Sequence, residues 1–275
     1  MKKLILLLTS LFLLTACNTR KENTMNYIKF GNGSKTFIII PGLSIHSIVN
    51  SKDAIEEAFK DYTDEYTIYV FDRPKNLKED TTIKDLADAT ANKMKELNIS
   101  GADIFGASQG GMMAMYIALY YPELVNKLVL GSTLSKPNDA FINVINKWIN
   151  LAKEKNEDEL LDSFIKDVYS QNTYDNYKDS LIEANKNITD EEYNRFIILA
   201  NACLSTNCYD ELDKIKCPVL VLGSNGDKVV TPLGSTQIAD KLNCDIYMYD
   251  DSYGHGVYDE AFDYRTRMLN FLKGN

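Results

Sequence analysis

The chain has 275 residues, 45% hydrophobic and 25% charged, which places it among ordinary globular proteins and excludes fibrous or disordered ones. A formal charge of −9 and a pI near 4.9 exclude a basic nucleic-acid footprint, and no Lys/Arg cluster in the body of the chain suggests one. The length suits one α/β domain carrying an insertion and is ample for a core.

The first element is a leader. Met1-Lys2-Lys3 is a short positive region, and Leu4 to Ala16 is an unbroken apolar or small run. As a helix that run covers roughly 20 Å, short of the ~30 Å hydrocarbon core, which is the form of a secretory signal peptide. Leu14-Thr15-Ala16-Cys17 resembles the bacterial lipobox, so residues 1–16 are expected to be cleaved and Cys17 lipidated. Residues 17–26 are polar and without periodicity, the pattern of a flexible tether. A protein built this way sits outside the cytoplasm in a bacterial cell envelope, held to the membrane by the lipid on Cys17.

From Lys35 apolar runs alternate with amphipathic segments. KTFIII (35–40) predicts a buried strand ended by Pro41-Gly42, residues 48–60 a helix, and YTIYVFD (66–72) a second strand. Thr82 to Leu97 carries Ile83, Leu86, Ala87, Met94 and Leu97 at helical spacing. ADIFG (102–106) is strand-like, Gly110 to Tyr121 helical, and NKLVLGS (126–132) the next strand. The rhythm then stops: residues 136–213 are polar and helical, with Phe141, Ile145, Trp148 and Leu151 at three- and four-residue steps. It resumes with CPVLVLGS (217–224), a helix near 233–242, CDIYMY (244–249) and a last helix from about Glu260 to Leu272. The pattern predicts an α/β fold: a mostly parallel central sheet with helices on both faces, its core made of residues 27–135 and 214–275. Residues 136–213 are expected to form an inserted helical cap.

Gly106-Ala107-Ser108-Gln109-Gly110 fits G-x-S-x-G between a strand and a helix, the context of a nucleophile elbow. A turn of small residues would fit the motif equally; the strand before and the helix after favour a turn that presents Ser108. A serine needs a base, and the chain has two histidines, His46 and His255. His255 follows the last strand in a polar, glycine-flanked loop, whereas His46 follows the first long strand. Asp227, in the loop after strand 217–222, is the orienting acid, with Asp250, Asp251 and Asp259 as rivals. Ser108, Asp227 and His255 all leave the sheet at the same edge, a joint arrangement much rarer than its parts. No His/Cys spacing suggests a metal, and no cofactor is expected. Of Cys203, Cys208, Cys217 and Cys244, the first two are closest in sequence and free to pair outside the cytoplasm; the latter two read as strand-edge core residues.

Over residues 27–273 the chain resembles the α/β-hydrolase superfamily. The resemblance rests on IIIPGLS, FDRP, GASQGGMMAMYIALYYPELVNKLVLGS, GSNGDKVVTP and YGHGVYDE. It implies that Ser108, Asp227 and His255 act as nucleophile, acid and base, with the backbone N–H groups of Leu43 and Gln109 as the oxyanion hole. Pro41-Gly42 stands where many members have His-Gly, and Asp72-Arg73-Pro74 continues without the family's glycine pattern, altering one pocket wall. A small acyl compound, a carboxylic ester on family grounds, is the implied substrate. An aminopeptidase or amidase on the same triad, or a binding lipoprotein that lost catalysis, are the alternatives. The aromatics Phe141, Trp148, Tyr169, Tyr174 and Tyr177 would roof the site or form the cap's own core.

Overall fold

A computed structural model describes residues 24–274. The leader, Cys17 and most of the stretch read as a tether lie outside the described residues. Seven strands form one sheet: β1 (Met25–Phe30), β2 (Lys35–Ile40), β3 (Tyr66–Pro74), β4 (Ala102–Ala107), β5 (Val125–Gly131), β6 (Val219–Ser224) and β7 (Asp245–Tyr249), ordered β1-β3-β2-β4-β5-β6-β7. Only β1 runs antiparallel, against β3. Successive residues point to opposite faces, and in the central strands both faces are buried. Ile38, Ile104 and Val221 enter one core, whereas Phe37, Phe105 and Leu222 enter the other. That double burial is why these strands read as unbroken apolar runs.

One face is covered by α2 (Ile83–Glu96), α3 (Gln109–Tyr120) and α8 (Thr231–Leu242), the other by α1 (Lys52–Ala58) and α10 (Tyr264–Lys273). Between β5 and β6 come four helices, α4 (Asp139–Glu154), α5 (Glu157–Val168), α6 (Gln171–Asn185) and α7 (Asp190–Leu204), with no strand among them. Phe141, Ile145, Trp148 and Phe196 from this segment join the core that holds α3. Helix α3 is therefore buried from Gln109 to Ala118, which explains its small and apolar composition.

Three local differences from the sequence reading have physical causes. Strand β1 begins at Met25, inside the stretch read as a tether, and a register shift between Met25 and Tyr27 breaks the period that would have marked it. The helix expected over 48–60 is a 3-10 turn at Ile48–Ser51, then α1, then a 3-10 turn at Lys60–Tyr62; Ser51 makes no side-chain cap. The last helix is two pieces, α9 (Val257–Glu260) and α10, parted where Ala261 turns extended at φ −89° and ψ 118°.

Candidate active site

Ser108 is the single residue between β4 and α3, at φ +50° and ψ −118°. Such a backbone costs a serine about 1–3 kcal/mol and persists only where its surroundings hold it. Here the Ser108 N–H donates to the Gly131 carbonyl at 2.8 Å, and the Ser108 carbonyl accepts from the Gly111 N–H at 2.9 Å and the Thr133 hydroxyl at 2.7 Å. The motif glycines permit the turn. A Cβ on Gly106 would stand 2.5 Å from the Gly110 carbonyl oxygen, and one on Gly110 would collide with the Ile40 carbonyl of β2. Gln109 begins α3, so its N–H has no partner one turn back.

The loop after β6 carries Asp227, whose Oδ1 accepts from the N–H groups of Val229 at 2.8 Å and Val230 at 3.0 Å. Its Oδ2 stands 2.8 Å from Nδ1 of His255, in the loop after β7, and both side chains are buried. Both carboxylate oxygens act as acceptors, so Nδ1 carries the hydrogen. In that tautomer Nε2 is the acceptor nitrogen of the ring. His255 and Ser108 line one small cavity of about 60 Å³, with Gly42 and Leu43 from the loop after β2 and Trp148 and Tyr169 from the inserted segment. No hydrogen bond joins the Ser108 hydroxyl to the ring; such contacts commonly tighten when substrate binds.

The second histidine is engaged elsewhere. His46 Nδ1 lies 2.7 Å from the Glu192 carboxylate, and Nε2 lies 3.0 Å from the Asn185 carbonyl. It ties the loop after β2 to α6 and α7 and does not line the Ser108 cavity. Among the rival acids, Asp250 accepts from Ser252, and Asp259 pairs with Arg265 at 3.4 Å. Of the five aromatics expected over the site, Trp148 and Tyr169 line the cavity. Phe141 is core, Tyr174 donates to Asp162 and Tyr177 is exposed.

Arg73 is a site residue that the sequence reading missed. Its buried guanidinium donates from Nε to the Gln109 side-chain oxygen at 2.9 Å, and from Nη2 to the carbonyls of Pro41 at 2.5 Å and Gly42 at 3.4 Å. In a trans peptide C=O and N–H point opposite ways, so holding the Gly42 carbonyl turns the Leu43 N–H to the other side of the peptide. Gly42 itself stands against Ser108: a Cβ there would lie 3.4 Å from the serine Cβ. One cation thereby fixes both segments expected to supply an oxyanion hole. Burial pushes the guanidinium down to about 10, which leaves it charged at neutral pH. A lone arginine near the end of the apolar run YTIYVFD was the signal available; it needed a buried partner to be readable. Its neighbour Asp72 accepts from the Ser47 hydroxyl and pairs with Arg195 of α7 at 2.6 Å.

All four cysteines in the described region are unpaired thiols. Burial pushes Cys203 and Cys208 up to about 12, which keeps both neutral. Cys203 sits 3.1 Å from the Gln109 side-chain nitrogen. Among the described residues no cluster of three or more His, Cys, Asp or Glu could hold a metal, and no helix is long and apolar enough to cross a membrane.

A family model described as alpha/beta hydrolase fold matches residues 35–262. The chain belongs to the α/β-hydrolase fold family. Its match to the homoserine O-acetyltransferase of Thermus thermophilus is 49% identical but spans only 49 residues, 18% of this chain and 13% of that one. A candidate carbamate hydrolase, RutD of Caulobacter sp. (strain K31), is 25% identical over 73% of this chain and 76% of its own. Among solved structures, the α/β hydrolase MGS-M2 from a Medee basin deep-sea metagenome superposes with a TM-score of 0.80 at 21% identity, covering 91% of this chain and 94% of that one. In this α/β-hydrolase the inserted segment contributes Trp148, Phe164 and Tyr169 to the cavity that Ser108 lines, and the loop after β2 contributes Gly42 and Leu43.

Proposed function

We propose that this α/β-hydrolase is a serine hydrolase that cleaves carboxylic esters through an acyl-enzyme. The observation that carries the reading is the buried Asp227–His255 pair, whose histidine lines the same cavity as Ser108. The Ser108 oxygen attacks the ester carbonyl carbon while its proton passes to His255 Nε2. Asp227 holds the ring in the productive tautomer and balances its charge. The Leu43 and Gln109 N–H groups receive the oxyanion; neither is committed to another acceptor. The tetrahedral intermediate expels the alcohol, which takes the proton from His255. Water, deprotonated by the same ring, then releases the acid and restores Ser108.

The residues lining the Ser108 cavity include no carboxylate or ammonium to hold a charged substrate amine, which favours a neutral ester over an aminopeptidase substrate. Lipidation of Cys17 and residence in a bacterial envelope form part of the same proposal, on the sequence of the leader. A fluorophosphonate probe and a panel of chromogenic esters, thioesters and amides test the chemistry. Wild type is expected to label and to turn over esters, and Ser108→Ala to do neither. Unlabelled wild type, or undiminished labelling of Ser108→Ala, overturns the enzyme; faster turnover of amides than of esters makes it an amidase.

A further inference from the structure

The cavity that Ser108 and His255 line is small, about 60 Å³. It admits a reacting carbonyl and small substituents but not the rest of a sizeable substrate. Adjoining it, with lining residues in common, is a much larger cavity of about 450 Å³, within the range of small-molecule sites. It opens between α1 and the α9–α10 segment and descends to Ile39, Val70 and Phe105 on the sheet. Gly42, Leu43 and Tyr258 line both spaces, and Ala107, adjacent to the serine, lines the larger one. The interior is aliphatic and aromatic. Charge appears only in Asp259 and Arg265, an ion pair that is partly exposed to solvent.

We infer that this cavity binds the hydrocarbon chain of the acyl group. The chain passes Leu43 and Tyr258 while its carbonyl stays at Ser108, so the substrates are esters of medium-chain, unbranched carboxylic acids. The inference rests on the ester-hydrolase reading. An interior of this kind offers a growing alkyl chain transfer from water at every added carbon and offers nothing to a polar or charged acyl group. Burial of one methylene corresponds to roughly a fourfold gain in kcat/KM.

The experiment is a series of p-nitrophenyl esters from acetate to decanoate, measured on wild type and on two plugs set away from Ser108. Ala54→Trp stands on the exposed outer wall of α1 and Ala58→Phe on its half-buried side. Wild type is expected to gain about fourfold per methylene before a plateau. Each plug should leave acetate turnover within twofold and cut decanoate turnover at least tenfold. Acetate as the best wild-type substrate, or plugs that leave the chain-length profile unchanged, overturns the inference. If no ester is turned over at all, the hydrolase reading has failed separately. Calorimetric binding of decanoate to Ser108→Ala then decides the cavity: binding abolished by Ala54→Trp supports it, and no binding refutes it.

Discussion

At the scale of single residues, Asp227 and Arg73 hold other groups in place, and each leaves a different kinetic mark. Asp227→Asn keeps the volume but can donate to Nδ1, which favours the tautomer with hydrogen on Nε2 and removes the acceptor facing Ser108. Loss of about 10³–10⁴ in kcat with an unchanged fold by circular dichroism is expected, the range known for such a change in a serine protease. Arg73→Met removes the donors to Pro41, Gly42 and Gln109. If it serves by orienting the Leu43 N–H, kcat falls on the order of a hundredfold, the value of one oxyanion donor, with KM nearly constant. Arg73→Lys restores part of it, since one ammonium can reach a carbonyl but cannot span all three acceptors. Rates per active site, counted by fluorophosphonate titration, separate this from lost folding; an unchanged kcat refutes the positioning role. Ser108 was legible because its glycine neighbours carry a steric necessity that one local stretch displays. Arg73 was not, because its meaning lies in carbonyls some thirty residues away, which no local pattern encodes.

At the scale of elements, the site depends on how the loop after β7 is braced. Glu260 of α9 accepts from the Gly254 N–H at 2.7 Å and from the Ser170 N–H at 2.9 Å, joining the residue before His255 to the junction of α5 and α6. The Gly256 N–H donates to the Val168 carbonyl at 2.8 Å, so the loop is pinned on both sides of the histidine. Glu260→Gln can accept from only one of the two N–H groups through its single oxygen. A stability loss of about 2 kcal/mol in denaturant titration is expected. A kcat reduction on the order of tenfold should accompany it from a misplaced imidazole. Normal kcat in this variant would mean that the brace is structural alone. Strands β2 to β6 and helices such as α2 and α4 were readable because burial on both faces or on one stripe writes its period into the chain. Strand β1 and the split last helix were not. An edge strand with a register shift carries little period, and the break at Ala261 is a single extended residue between two helical turns.

At the scale of the molecule, the inserted helices are tied to the sheet where the candidate oxyanion loop begins. His46 reaches Glu192 and the Asn185 carbonyl, Asp72 pairs with Arg195, and the Gln109 side chain donates to the Leu199 carbonyl at 2.8 Å. Helix α7 is thus held by the same loop and elbow that flank Ser108. Cys203, against the Gln109 side chain, and Cys208, beyond the end of α7, are buried neutral thiols, so both should resist iodoacetamide at pH 8 until the protein unfolds, as peptide mapping can read. The tie that can be weighed is Asp72–Arg195, with side chains 7% and 17% exposed. Arg195→Met leaves the Asp72 carboxylate with the Ser47 hydroxyl and the Arg73 N–H but without its ion-pair partner. Breaking a fully buried pair costs about 3–5 kcal/mol, and the partial exposure of Arg195 reduces that to about 2 kcal/mol here. For a chain of this size that is a fall in Tm of roughly 4–8 °C. Asp72→Asn in the Arg195→Met background should recover at least half of the loss, because the stranded charge is gone. A double-mutant cycle with coupling near zero would show instead that α7 is held by apolar packing, and that the ion pair is incidental to how the inserted segment docks.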